Sequence, residues 1–160
     1  MTNFTFSNAY LEGITSTDLD GSGSIGSGTI PSGLNAYSSG DNFVAAGKLS
    51  SVANLNTVKA YLDSIRDAQL GMATFNGSYL YEELEDTAAN LSAVSSTDIG
   101  NISDTLTIAD SYTSPAAISV LQSIKANFTG TTFNYYGIKG TAKELADSRS
   151  GGYDWITNIT

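Results

Sequence analysis

Apolar and polar positions along this chain switch between two periods. Asn42-Phe-Val-Ala-Ala46 is a short apolar run. After it, Val58, Tyr61, Leu62 and Ile65 fall at i, i+3, i+4 and i+7, one face of an amphipathic helix. Gly71 is the expected stop. The period then drops to two, and residues 73–84 read as a strand with Tyr79 and Tyr81 on one face. Thr87 is the expected N-cap of a short helix holding Ala88, Ala89 and Leu91. Residues 102–108 read as the next strand, alternating through Leu106 and Ile108. Ser114 followed by Pro115 predicts the start of a second long helix, because proline's missing N–H costs nothing at the first helical position. Its stripe is Ala117, Val120, Leu121 and Ile124. Thr141-Ala-Lys-Glu144 has the form of a capping box, and residues 153–159 read as a last strand.

This pattern is written twice. Tyr79-Leu-Tyr81-Glu-Glu-Leu84-Glu-Asp-Thr87-Ala88-Ala-Asn-Leu91 returns 54 positions later as Phe133-Asn-Tyr135-Tyr-Gly-Ile138-Lys-Gly-Thr141-Ala142-Lys-Glu-Leu145. The helical stripe returns at an offset of 59, Val58 against Ala117, Tyr61 against Val120, Leu62 against Leu121 and Ile65 against Ile124. A connection five residues longer after the first helix accounts for the difference. Ser51, Thr87, Ser114 and Thr141 each stand four positions before an apolar anchor, respectively Leu55, Leu91, Ile118 and Leu145. A hydroxyl cap followed one turn later by an inward residue is how a strand hands over to a helix.

Together these signals predict an α/β fold: a short, solenoid-like array of strand–helix units over residues 42–160, with copies at about 51–109 and 110–160. Helical crossovers between neighbouring strands favour a parallel sheet; an α+β layer with an antiparallel sheet is the alternative. Residues 1–41 read differently, as an N-terminal arm dense in Gly and Ser between Gly21 and Gly40. Phe4, Phe6, Tyr10 and Leu11 would dock this arm on the first repeat as a short strand, or the arm is mobile.

Asp86-Thr-Ala-Ala-Asn-Leu91, preceded by an alternating strand and followed by Asp104-Thr-Leu-Thr-Ile-Ala-Asp110, resembles the handover of tandem strand–helix repeats. Such repeats, with a "DTAANL"-like motif, occur in very large bacterial surface and secreted proteins, often cyanobacterial. The similarity spans roughly residues 75–147. Gly140-Thr-Ala-Lys-Glu-Leu145 departs from the motif at three positions. The resemblance implies an extracellular or cell-surface structural or adhesive role without catalysis. Some of those proteins carry calcium-binding nonapeptide repeats; the Gly-Gly-x-Gly-x-Asp signature is missing here, so that kind of binding does not carry over.

Composition removes several chemistries. The chain has no Cys and no His, which excludes disulfides, thiolate nucleophiles, zinc-finger sites and histidine triads. Its net charge is −9 with seven scattered Lys and Arg, so nucleic acid is disfavoured as a partner and anionic membranes would repel it. No stretch is long and apolar enough to span a bilayer, and the N-terminus lacks the pattern of a secretory signal. Hydroxyls, Asn and Gly supply most of the polarity, a style common outside the cell.

Four candidate sites remain. Asp18-Leu-Asp20-Gly-Ser22-Gly-Ser-Ile25 matches the opening of an EF-hand or dockerin loop, with oxygen ligands at Asp18, Asp20 and Ser22, and Ca2+ as the candidate ion. Thr29 stands where a bidentate acid would close the shell, and the plain reading is a Gly/Ser turn. Tyr79, Tyr81, Phe133 and Tyr135 read as core, whereas Tyr136, of opposite parity, is the exposed candidate for surface glycans or a partner. Tyr153 and Trp155 in the last strand are candidates for self-association or for contact with a neighbouring repeat. Glu82, Glu83, Glu85 and Asp86 could in principle run acid hydrolysis; the plain reading is a solvated edge that discourages aggregation. Six Asn-x-Ser/Thr sequons, at Asn3, Asn76, Asn90, Asn101, Asn127 and Asn158, carry no functional reading.

Overall fold

The structure, a computed structural model, describes residues 2–34, 38–70 and 75–147. Five strands form one sheet: β1 (Asn3–Ser7), β2 (Asn42–Leu49), β3 (Tyr79–Asp86), β4 (Ile102–Ile108) and β6 (Thr132–Tyr135). They lie side by side in chain order, and every pairing is parallel. The antiparallel alternative is therefore ruled out for these residues. Between the strands run α1 (Asn8–Thr15), α2 (Val52–Leu70), the short α3 (Ala88–Leu91) and α4 (Ser96–Gly100), and α5 (Ile118–Asn127). After β6 comes α6 (Ala142–Asp147). The strand and helix in residues 3–15 belong to the same sheet and core as the rest.

Alternation along the strands assigns the two faces of the sheet. Phe43, Ala45, Leu49, Tyr81, Leu84, Ile102 and Leu106 are buried on one face. Val58 and Leu62 of α2, and Leu121 and Ile124 of α5, join them in one continuous core, as the helical periodicity predicts. Leu62 and Leu121 are fully inaccessible, and burying each is worth about 2 kcal/mol. The opposite face carries Val44, Leu80, Glu83, Glu85, Thr105, Thr107 and Asn134, a polar-rich row unlike the unbroken apolar strands of a parallel sheet covered on both sides.

In the first half, the strand read over residues 73–84 starts only at Tyr79 and runs to Asp86, and Tyr10 and Leu11 lie in the helix α1 while Phe4 and Phe6 lie in β1. In the second half, two stretches depart from the sequence expectation. Ser114 and Pro115 do not open the second long helix. The Ala116 N–H donates to the Gly137 carbonyl at 2.9 Å, and β5 (Ala116–Ala117) pairs in parallel with β7 (Ile138–Lys139) as a small side sheet. Only then does α5 begin, at Ile118, with Ala117 at the N-cap and no side-chain cap bond. Ser114 instead closes a turn, donating its N–H to the Ser111 carbonyl and hydroxyl.

The second departure concerns the written repeat. Tyr79 and Tyr81 lie in β3, and Phe133 and Tyr135 in β6, all packed with the main core. Leu84, however, is in the main sheet and buried, whereas Ile138 lies half-buried in the side sheet. The reason is local: a Cβ at Gly137 would come 2.3 Å from the Ser111 carbonyl oxygen. The backbones of the two loops touch there, and the chain turns out of the main sheet. Gly71, proposed as a helix stop, and the last strand at 153–159 lie outside the described residues.

Candidate functional site

The Asp18 loop is tied to α1 by a residue that sequence spacing alone does not select. Glu12, only 4% exposed, accepts the Leu19 N–H on Oε1 at 3.1 Å and the Gly26 N–H on Oε2 at 2.8 Å. Left-handed Ser16 (φ 52°) ends α1 and turns the chain back so that this contact can form. Asp18 accepts the N–H groups of Gly21, Ser22 and Gly23, and Asp20 accepts that of Ser22. Bonding from the Ser22 hydroxyl and N–H holds the Asp20 carboxyl below the usual carboxylate range. One oxygen from each of Glu12, Asp18 and Asp20 lies within 4.8 Å of the others. These are the described residues that could hold a divalent cation. Glu12, from the preceding helix, offers the acid that Thr29 lacks, and Ser22 lies in the same loop, bonded through its N–H to Asp20.

The acidic run in β3 is divided among three structural tasks. Gly47, at φ 98°, sits in a β-bulge of β2, and its N–H donates to Glu82 Oε2 at 2.6 Å. Glu85 pairs with Lys48 at 2.9 Å. Asp86 serves two helices. Its Oδ2 accepts the N–H of Val52, first residue of α2, at 2.8 Å. Its Oδ1 accepts the Thr87 N–H at 2.7 Å and the Asn90 side-chain amide at 2.8 Å. Glu83 and Glu85 flank the buried Leu84 and share the opposite, polar face of the sheet.

The device recurs one strand further on. Asp110, just past β4, accepts the N–H of Ala88, first residue of α3, on Oδ2 at 2.6 Å. In both cases an acid at the end of one strand caps the helix that follows the preceding strand. A carboxylate satisfies an orphan N–H there and sits favourably in the helix dipole. The hydroxyl caps work alongside: Ser51, Thr87 and Thr141 accept the N–H groups of Asn54, Asn90 and Glu144, and Glu144 reaches back to the Thr141 N–H at 2.7 Å. Leu55, Leu91 and Ile118 are buried anchors; the side chain of Leu145 lies outside the described residues.

Tyrosines divide by environment. Tyr79 donates its hydroxyl to Asp63 at 2.7 Å, and Tyr10 and Tyr61 share a hydroxyl bond of 2.6 Å. Tyr81 is fully buried, and its hydroxyl meets no hydrogen-bond partner. Burial, above all, raises the ionisation of Tyr61, Tyr79 and Tyr81 well above the usual tyrosine range. Tyr136 is 54% exposed and Tyr112 81%. Tyr153 and Trp155 lie outside the described residues.

These features define an α/β protein with a parallel sheet in chain order, one apolar core and strand-end acids that cap neighbouring helices. No protein-family model matches the chain, and comparison with curated proteins and with solved structures returns no match. Among the described residues, no helix is long and apolar enough to cross a membrane.

Proposed function

We propose that this chain is a non-enzymatic structural or adhesive module of an extracellular or cell-surface protein, organised as a short solenoid-like array of strand–helix units. The observation that carries the reading is the pair of caps, Asp86 on Val52 and Asp110 on Ala88. These two helix starts take their acid from the next strand, so each of the two units is complete only when a neighbour stands beside it. The "DTAANL"-like run acquires a physical meaning in this way: its Asp caps two helices, its Thr is an N-cap, and its Asn returns a bond to the Asp. Structural use of all the acids but Glu83 in the β3 run favours a role without catalysis.

Stacking of this kind extends readily to a second copy or to a neighbouring repeat module. Among the described residues, β1 and β6 each pair with one strand of the main sheet, and an edge strand is a template for further pairing. Ile14, Ile25 and Ile30 are more than half exposed on α1 and the segment that crosses it. Light scattering at high micromolar concentration, with and without calcium, is the test, the ion being included because Glu12, Asp18 and Asp20 converge. Mass rising with concentration supports self-association; a strict monomer in both conditions overturns it.

A further inference from the structure

We propose that the polar face of the main sheet binds a neutral oligosaccharide, with Tyr136 at its carboxyl end as the stacking ring. This goes beyond the structural role, because it concerns the face of the sheet and does not depend on whether its edges join.

Strand register lays polar side chains in two straight rows across this face. Lys48, Glu83, Thr105 and Thr132 are successive partners on β2, β3, β4 and β6; Glu85, Thr107 and Asn134 form the second row. A cavity of about 150 Å³ opens between the rows, with both glutamates, both inner threonines and Asn134 at its wall. Carboxylates accept, the carboxamide and hydroxyls both donate and accept, and the Lys48 ammonium donates. An apolar ligand would leave these groups unpaired. An anionic one would meet Glu83 and Glu85 while the adjacent cation is already bound to Glu85 at 2.9 Å. A chain of neutral polyol rings offers donors and acceptors on every unit and satisfies both requirements. Adjacent rungs are ~4.8 Å apart, a spacing on the scale of one sugar ring.

The aromatic end is held rigidly. The Tyr135 ring turns to the core beside Phe133, and Tyr136 follows in the bend that ends β6, with its side chain exposed. The next residue, Gly137, donates to the Asp110 carbonyl at 2.9 Å and packs against the backbone of Ser111 and Tyr112. A hydroxyl bond between Ser111 and Thr113 at 2.8 Å stiffens the second loop. Tyr112 and Tyr136, both well exposed, therefore stand on touching, bonded loops at the end of the rows. A bonded backbone and only two side-chain torsions per tyrosine limit the entropy lost on binding.

Affinity electrophoresis of the full chain tests this, in gels carrying hydroxyethyl cellulose, xyloglucan or dextran, with alginate as the acidic control. We expect retardation in at least one neutral gel and none in alginate. Tyr136→Ala combined with Asn134→Ala should restore the mobility seen in a blank gel, with an unchanged thermal midpoint because both side chains are exposed. Tyr136→Ala alone serves if the double variant melts early, and it should weaken retardation at least threefold. Blank-gel mobility in every neutral gel, stronger retardation by alginate, or full retardation of a folded variant would each overturn the assignment.

Discussion

Asp86 and Val52 stand 34 residues apart in the chain, on different strand–helix units, yet the carboxylate of one accepts the N–H of the other at 2.8 Å. The bond closes the first turn of the longest helix from outside it. Replacing Asp86 by Ala removes this acceptor and the partners of Thr87 and Asn90 together. A single lost cap costs about 1 kcal/mol, and bonds to a charged group run higher. Urea unfolding of Asp86→Ala should therefore show a loss of ~2–3 kcal/mol. Asp110→Ala, which frees only Ala88, should lose ~1 kcal/mol.

Leu62 and Leu121 hold matching positions in the two long helices, and both are wholly buried. Truncation to Ala at either one should cost about 2–5 kcal/mol, the lost transfer energy plus the cavity left behind. Denaturant melts would register similar losses for both. A cost below about 1 kcal/mol at one of them would mean that the helix does not share the common core.

Tyr81 presents an unusual case, a core tyrosine whose hydroxyl has no partner. Burying an unpaired hydroxyl is unfavourable. Tyr81→Phe should accordingly leave stability unchanged or raise it by up to ~2 kcal/mol. Tyr79→Phe, which removes one bond to Asp63 and leaves that acid its ion pair with Arg66 at 2.8 Å, should lower it by about 1 kcal/mol. Thermal midpoints of the two variants should move apart.

The same residues set an alkaline limit. Tyr61, Tyr79 and Tyr81 ionise in the folded chain only well above pH 10, whereas in the unfolded chain they ionise near pH ~10. A folded-state pKa raised in this way contributes stability that is intact below the unfolded value and is lost as pH climbs past it. Absorbance of tyrosinate from this buried set should rise only in step with loss of helical circular dichroism. A single smooth titration with the fold intact would contradict the burial of these rings.

The long helices α2 and α5 are legible because their apolar residues repeat at helical spacing. The strand at 102–108 is legible because its polar and apolar positions alternate, and the Thr87 cap because a hydroxyl there precedes a compact Ala-Ala-Asn-Leu turn. Parallel order follows from the helices between strands. Other features depend on contacts distant in sequence. The side sheet of β5 and β7 arises where Gly137 lets two loops touch, and Ser114-Pro115 alone reads as a helix start. Glu12 reaches the Asp18 loop only because Ser16 reverses the chain. The Glu82–Asp86 run looks like a surface cluster until strand register assigns its acids to a bulge, an ion pair and two helix starts. Tyr136 is exposed, as the sequence reading expects, though it sits in the bend after β6 and not in the strand; the threonine and glutamate rows emerge only with the register.

Whether one unit holds the helix of the next is read most directly at the Val52 amide. Hydrogen exchange should be followed there in the native chain and in Asp86→Ala, with the Ile124 amide in α5 as an internal reference. Interdependent units predict roughly tenfold faster exchange at Val52 relative to Ile124 in the variant, equivalent to ~1.4 kcal/mol of local opening. An unchanged ratio between the two amides would contradict the account.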